Sequence, residues 1–240
     1  MTDIPDATSS SLADLSNRIT ELETKSWNIP PKLLPDLKPT LTPTALSQMS
    51  RARSAVINAN CTSAVFKFVP SDYYTYGLEK RRQTLGATTT FQLCKSMLME
   101  NVKCDATDCA DRTNSRYYLV VVQYEAEING KKLASEIRAL RPAGKDRLPP
   151  NMFEFRLAAS SDNDRLTGYV HNSVTPFGLL DGTVPIVMAS AIKDVKPAFI
   201  FMGGGHVDLK LGMAVEDFVG GTNAIVSDIS DVRSGAFQEE

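Results

Sequence analysis

Histidine is nearly missing from this chain. His171 and His206 are the only two in 240 residues, too few for a His-rich metal site. Cysteine is scarce too, at Cys61, Cys94, Cys104 and Cys109. The segment "CDATDC" sets Cys104 and Cys109 beside Asp105 and Asp108, but no second pair stands elsewhere at ligand spacing, so a solvated loop insertion is expected and no metal. No apolar run approaches the length of a membrane span. The opening "MTDIPDATSSS" lacks the basic and apolar regions of a signal peptide, and "SGAFQEE" at the end lacks a lipid-anchor motif. The expectation is a cytoplasmic protein whose thiols stay reduced. A net charge of −2 supplies no global field for nucleic acid, so any such contact needs a local patch. There is no phosphate loop, "MGGGH" lacks the spacing and context of a dinucleotide fingerprint, and no nucleophile elbow occurs. No cofactor is implied, and an enzyme built from these residues would work by positioning and by backbone donors.

What is present divides near residue 50. Leu12, Leu15, Ile19 and Leu22 form an a/d seam on an expected helix within residues 1–28, with Ser10 or Ser11 as cap. Two heptads are too short to stand alone. The helix either packs on its own domain or docks a partner or a second copy. Residues 29–50 form a Pro-rich linker, in which Pro30, Pro31, Pro35, Pro39 and Pro43 favour an extended tether. Residues 51–235 form the main domain, opened by a short helix in "TALSQMSRARSAVINA".

From residue 60 onward the pattern alternates. Strands are expected at 63–69, 94–100, 117–126, 152–158, 184–190, 198–204, 206–212 and 223–229. Helices are expected at 76–86, closed by Gly86, at 130–140, at 161–166 and at 214–221. Strands outnumber helices and several look hairpin-connected, which predicts an α+β fold with a mixed, mostly antiparallel curved sheet and flanking helices. Lys131, Lys132, Arg138, Arg141, Lys145 and Arg147 crowd one segment against Glu136 and Asp146. That cluster either steers a polyanion or forms a solvated face.

One stretch resists assignment to a regular element. "LTGYVHNSVTPFGLLDG" at 166–182 is broken by Gly168, Gly178, Gly182 and Pro176, yet carries Tyr169, Val170, Val174, Phe177 and Leu179. With its upstream flank it resembles the YbaK and prolyl-tRNA-synthetase-associated domain family of aminoacyl-tRNA deacylases. That pattern is a strand ending in an apolar-Ala step, a short acidic helix, Thr-Gly-Tyr and a Gly-x-x-x-Pro loop. "LCKSMLMEN" resembles the strand that carries the family lysine, which maps to Lys95, and "AFIFMGGGHVDLKLGMAVEDFVGGTNAIVSDIS" resembles the C-terminal strand, glycine turn, helix and strand. The resemblance spans residues 62–230.

The resemblance implies a YbaK-like fold and trans-editing hydrolysis of a mischarged aminoacyl-tRNA, with Cys-tRNA(Pro) or Ala-tRNA(Pro) as the leading substrates. Lys95, Asn172, Thr175 and Pro176 are implied as catalytic. Gly168, Tyr169, Ser173, Val174, Phe177, Gly178, Gly203, Gly204, Gly205 and His206 are implied as substrate-binding. Partners would be the aminoacylated tRNA acceptor end and a synthetase or multi-synthetase complex reached through the N-terminal helix. Lys67 is the decoy for Lys95, since it too sits in mid-strand. Three features depart from the pattern. Asn172 stands where the loop opens with glycine, "KCDATDCADRTNS" interrupts two strands, and His206 replaces a basic residue. Asn is the side chain that best tolerates positive φ, so the loop shape is expected to survive. The alternative is a non-catalytic tRNA-binding or scaffold subunit of a synthetase complex. Hydrolysis of another small ester or amide is a weaker third reading.

Overall fold

The computed structural model describes residues 41–233. The seam at residues 12–22 and most of the Pro-rich stretch lie outside the described residues. Helix α1 spans Pro43–Asn58, with Thr42 as N-cap accepting from the Ala45 amide and proline in the first turn. Ala45, Met49, Ala52 and Val56 form its buried stripe. The helix therefore begins inside the expected 29–50 linker, because a capping threonine followed by proline starts a helix as readily as it ends a tether.

Strand β1 (Val65–Phe68) leads to α2 (Leu78–Leu85), which closes on left-handed Gly86 as its sequence implies. Next come β2 (Cys94–Asn101), β3 (Tyr117–Gln123) and β4 (Ala126–Ile128). Helix α3 (Gly130–Ala139), capped by the Asn129 side chain, precedes β5 (Phe155–Leu157) and α4 (Ser160–Thr167). The chain continues through β6 (Ile186–Ala189), β7 (Phe199–His206), β8 (Leu209–Ala214) and α5 (Val215–Thr222). It ends in β9 (Ile225–Ser227) and β10 (Ser230–Val232).

A five-stranded sheet has the order β5-β2-β3-β6-β9, a three-stranded sheet the order β1-β8-β7, and β10 pairs with β4. The α+β expectation holds. Pairing is mixed and mostly antiparallel, as expected, with β6 parallel to both β3 and β9. Central β3 is buried along its whole length, which is why "YYLVVVQ" shows no alternation.

The edge of β2 away from β3 is shared. Its far end, Met99–Asn101, pairs with β5. Just before its start, Leu93 bridges Phe201 of β7. Between those contacts the two sheets part, and Lys95–Met97 pair with β3 alone. This parting is where a cleft opens.

The "CDATDC" segment is the expected loop, with Asp105, Thr107 and Asp108 exposed, but its cysteines are not solvated. Cys104 and Cys109 are both buried, and Cys109 joins the main core. The basic cluster is likewise mostly consumed within the fold. Lys132 binds Asp228 and Asp231, Arg141 binds Asp111, and Arg138 and Arg147 donate to the carbonyls of Leu148 and Arg141. These cations stitch α3 to neighbouring turns.

Helix α1 also clamps the irregular stretch. The Arg51 guanidinium donates to the carbonyls of Thr167, Gly168 and Gly178 and lies 4.5 Å over the Tyr169 ring. Gln48 adds a 2.8 Å bond to the Gly168 carbonyl. Arg51→Ala is expected to lower stability by about 2–3 kcal/mol, the scale of charged hydrogen bonds lost from half-buried carbonyls. Arg51→Lys should recover little of it, since one ammonium cannot span three acceptors. Denaturant unfolding of the three proteins measures both.

Candidate functional site

Residues 168–182 run from the end of α4 towards β6. Gly168 ends α4 at φ 70°. Buried Tyr169 follows, and its hydroxyl donates to the Phe177 carbonyl at 2.7 Å, tying the two ends of the loop together. Burial pushes the Tyr169 pKa up to about 12 against the pull of Arg51, so the phenol remains a donor. Asn172 sits at φ 66°, the left-handed conformation its place in the pattern requires. Its carbonyl accepts from the Tyr74 hydroxyl at 2.7 Å.

The loop then presses its backbone against β7. The Ser173 carbonyl accepts from the Gly205 amide at 3.0 Å. A Cβ on Gly203 would run into the Val174 carbonyl, so this approach is open only to glycine.

Between the loop and the exposed edge of β2 lies a cleft of about 350 Å³. Lys95, Ser96, Met97 and Leu98 form one wall, and His171, Asn172, Val174 and Gly203 form the other. Tyr74 and Tyr124 close one end, and Ser160, Asn163 and Asp164 of α4 border the cleft as well. Lys95 Nζ donates to the Ala126 carbonyl at 3.2 Å and stands 5.9 Å from the Tyr124 ring. Its pKa is lowered by burial, with Arg233 acting the same way and Glu127 opposing. Lys67 lies in the other sheet, bonds the Leu85 carbonyl, and does not line the cleft.

The structure thus gathers Lys95, Asn172, Val174 and Gly203 at one place and leaves the other expected residues elsewhere. Pro176, Phe177 and Gly178 line a separate groove on the other side, where Phe177 meets Phe218 edge-on. Thr175 is fully buried and its hydroxyl has no partner among the described residues. Ser173 is buried as well, its hydroxyl and amide both donating to the Val170 carbonyl, so it braces the turn. Gly168 and Tyr169 act through the α1 clamp. Gly204 packs against Leu209, and Gly205 holds Ser173. Buried His206 accepts from the Asp208 amide at 3.1 Å and fixes the β7–β8 turn.

Tyr74, Tyr124 and Lys210 escape a sequence reading. The tyrosine run "DYYTYG" before α2 was the available signal. Lys210 lies in "DLKLG", where strand alternation implies a solvent-facing side chain, yet it is 4% exposed.

A family model, the aminoacyl-tRNA editing domain, matches residues 75–220. The chain belongs to that family. Solved structures share the fold at low identity. One is a protein described as a candidate trans-editing enzyme for prolyl tRNA synthetase, with TM-score 0.59 and 17% identity over 80% of this chain and 99% of that one. Another is a scaffold from epitope backbone grafting by computational design, with TM-score 0.59 and 16% identity over 80% of this chain and 100% of that one. A third is hypothetical protein APE2540, with TM-score 0.55 and 16% identity over 75% of this chain and 99% of that one. No curated protein sequence matches the chain. Among the described residues, no helix is long and apolar enough to cross a membrane.

The positive φ of Asn172 can be tested directly. Asn172→Gly should match the wild type within about 0.5 kcal/mol, while Asn172→Ala should lose about 1 kcal/mol, the cost of a Cβ with no compensating side-chain bond in the left-handed region. Chemical denaturation of both variants is the measurement.

Proposed function

We infer that this member of the editing family hydrolyses the ester joining a wrong amino acid to tRNA, and that the cleft between β2 and the loop takes the aminoacyl end. One observation carries the reading. Lys95, an amine in the cleft wall, faces a loop where the amides of Asn172 and Val174 have no acceptor among the described residues. Such fixed donors can hold a developing oxyanion without any titratable group, each worth about 2.7–4 kcal/mol of barrier. Water adds to the ester carbonyl carbon, negative charge gathers on the carbonyl oxygen before these amides, and the bond to the ribose oxygen then breaks. The ribose oxygen takes up a proton as the free amino acid departs. Lys95 pairs with the terminal phosphate and ribose of the acceptor end. Bonds from Ser173 and Gly205 keep the donors in place beforehand, which is where the catalytic advantage lies.

Cys-tRNA(Pro) and Ala-tRNA(Pro) are the leading substrates, by analogy with the neighbour described as acting for prolyl tRNA synthetase. The segment before residue 41 is the natural tie to a synthetase or multi-synthetase complex through its Leu12, Leu15, Ile19, Leu22 seam.

Deacylation of a panel of mischarged tRNAs tests the function. Lys95→Ala should lose on the order of 1.5–3 kcal/mol, roughly tenfold to more than a hundredfold in kcat/KM, as expected for one charged contact. Lys67→Ala should stay within about twofold. Equal losses in two folded variants would remove Lys95 from the site. Wild type that binds the acceptor end and hydrolyses no member of the panel would favour the non-catalytic tRNA-binding reading.

A further inference from the structure

A buried polar chain runs beneath the cleft. Lys210 Nζ donates to the Tyr74 hydroxyl at 2.9 Å and to the Val207 carbonyl at 2.6 Å. The Tyr74 hydroxyl itself donates to the Asn172 carbonyl at 2.7 Å. Tyr74 is in turn fixed by Arg81, which donates to the Tyr74 and Tyr76 carbonyls. We propose that Tyr74 and Lys210 are positioning residues for the editing loop, setting the direction of the Asn172 peptide and so the aim of the amides beside it. This rests on the deacylase reading above and adds the device that keeps its donors in register.

The chemistry is directional. A charged ammonium has three donors and no lone pair, so it can only donate to the Tyr74 oxygen. The single phenolic proton is then left for Asn172. A neutral amine regains a lone pair and can accept that proton, which releases the Asn172 carbonyl. Burial brings the Lys210 pKa down to about 7, with Asp208 opposing the shift and Arg81 reinforcing it. The groups facing this amine are Asp208 and Arg81, His206 beside Asp208, Lys67 opposite it on β1, and the phenols Tyr73, Tyr74 and Tyr124. Burial also raises the pKa of Asp208, against the pull of His206 and Lys210.

Two signs separate positioning from mere stability. The folded pKa lies below the ordinary value of 10.5, so the unfolded chain binds more protons between about pH 7 and 10. This group's contribution to folding stability therefore rises with pH through that window. Its hold on the loop falls over the lower part of the same window, as the ammonium is lost.

The test uses full-length protein with Tyr74→Phe and Lys210→Met. Single-turnover deacylation, tRNA affinity and amide hydrogen exchange at residues 170–175 are measured between pH 5.5 and 8. Both variants should cleave at least tenfold more slowly below pH 7, bind tRNA within twofold of wild type, and exchange the loop amides faster. The ratio of wild-type to Lys210→Met rate should shrink as pH rises through about 7. An active wild type matched by Tyr74→Phe in both rate and exchange would overturn the proposal while leaving the deacylase reading intact. A wild type that cleaves nothing would sink the deacylase reading. The exchange arm would then decide positioning alone, with faster loop exchange in Tyr74→Phe supporting it and unchanged exchange refuting it.

Discussion

The structure depends on one close approach, the backbone of the loop at Ser173–Val174 laid against the glycines of β7. Gly203 leaves room for the Val174 carbonyl, and Gly205 donates to Ser173. A side chain at Gly203 would push the loop off the sheet and dissolve the cleft wall. With the approach made, the loop faces the edge of β2 left open at Lys95–Met97 across a gap the size of a small ligand. Most of the other polar bonds of the loop serve to maintain that approach.

Two clamps do this from opposite sides. Arg51 and Gln48 of α1 hold the carbonyls at Thr167, Gly168 and Gly178, and Tyr169 cross-links the loop ends. Tyr74, backed by Lys210, holds the Asn172 carbonyl from the cleft side. The family match begins at residue 75, yet α1 at Pro43–Asn58 packs on β7 and grips the loop. The unit that builds the site is therefore larger than the segment that carries the family pattern. The first clamp puts the Arg51 cation directly on loop carbonyls, a charge-assisted bond stronger than its neutral counterpart, whereas in the second a phenol meets the Asn172 carbonyl with Lys210 behind it.

Much of this was legible in the sequence. Lys95 and the loop were placed together, and the conformation of Asn172 followed from the tolerance of Asn for positive φ. Strand and helix positions from residue 60 onward followed from periodicity, apart from short β4 and β10, which pair with each other and are too brief to register. The far half of the loop was misplaced. Pro176, Phe177 and Gly178 share the motif with Asn172, but beyond the turn at Val170–Ser173 they line a separate groove, and no pattern of residue types reports that. His206, expected to bind substrate, is buried and braces the β7–β8 turn. Lys210 was invisible for a different reason, since its burial is imposed by tyrosines distant in sequence. Tertiary placement overrode local pattern at each of these positions.

The central claim is that the cleft between β2 and the loop receives the aminoacyl end, with the Asn172 and Val174 amides facing the ester carbonyl. Amide chemical shifts recorded while titrating a non-hydrolysable alanyl-adenosine analogue, linked through a 3′-amide, test it most directly. The account predicts that the largest shifts fall on Asn172, Val174 and Gly203 together with Lys95, and that Lys95→Ala weakens binding. Shifts centred on the groove at Pro176–Gly178, with the Asn172 and Val174 amides unmoved, would contradict it.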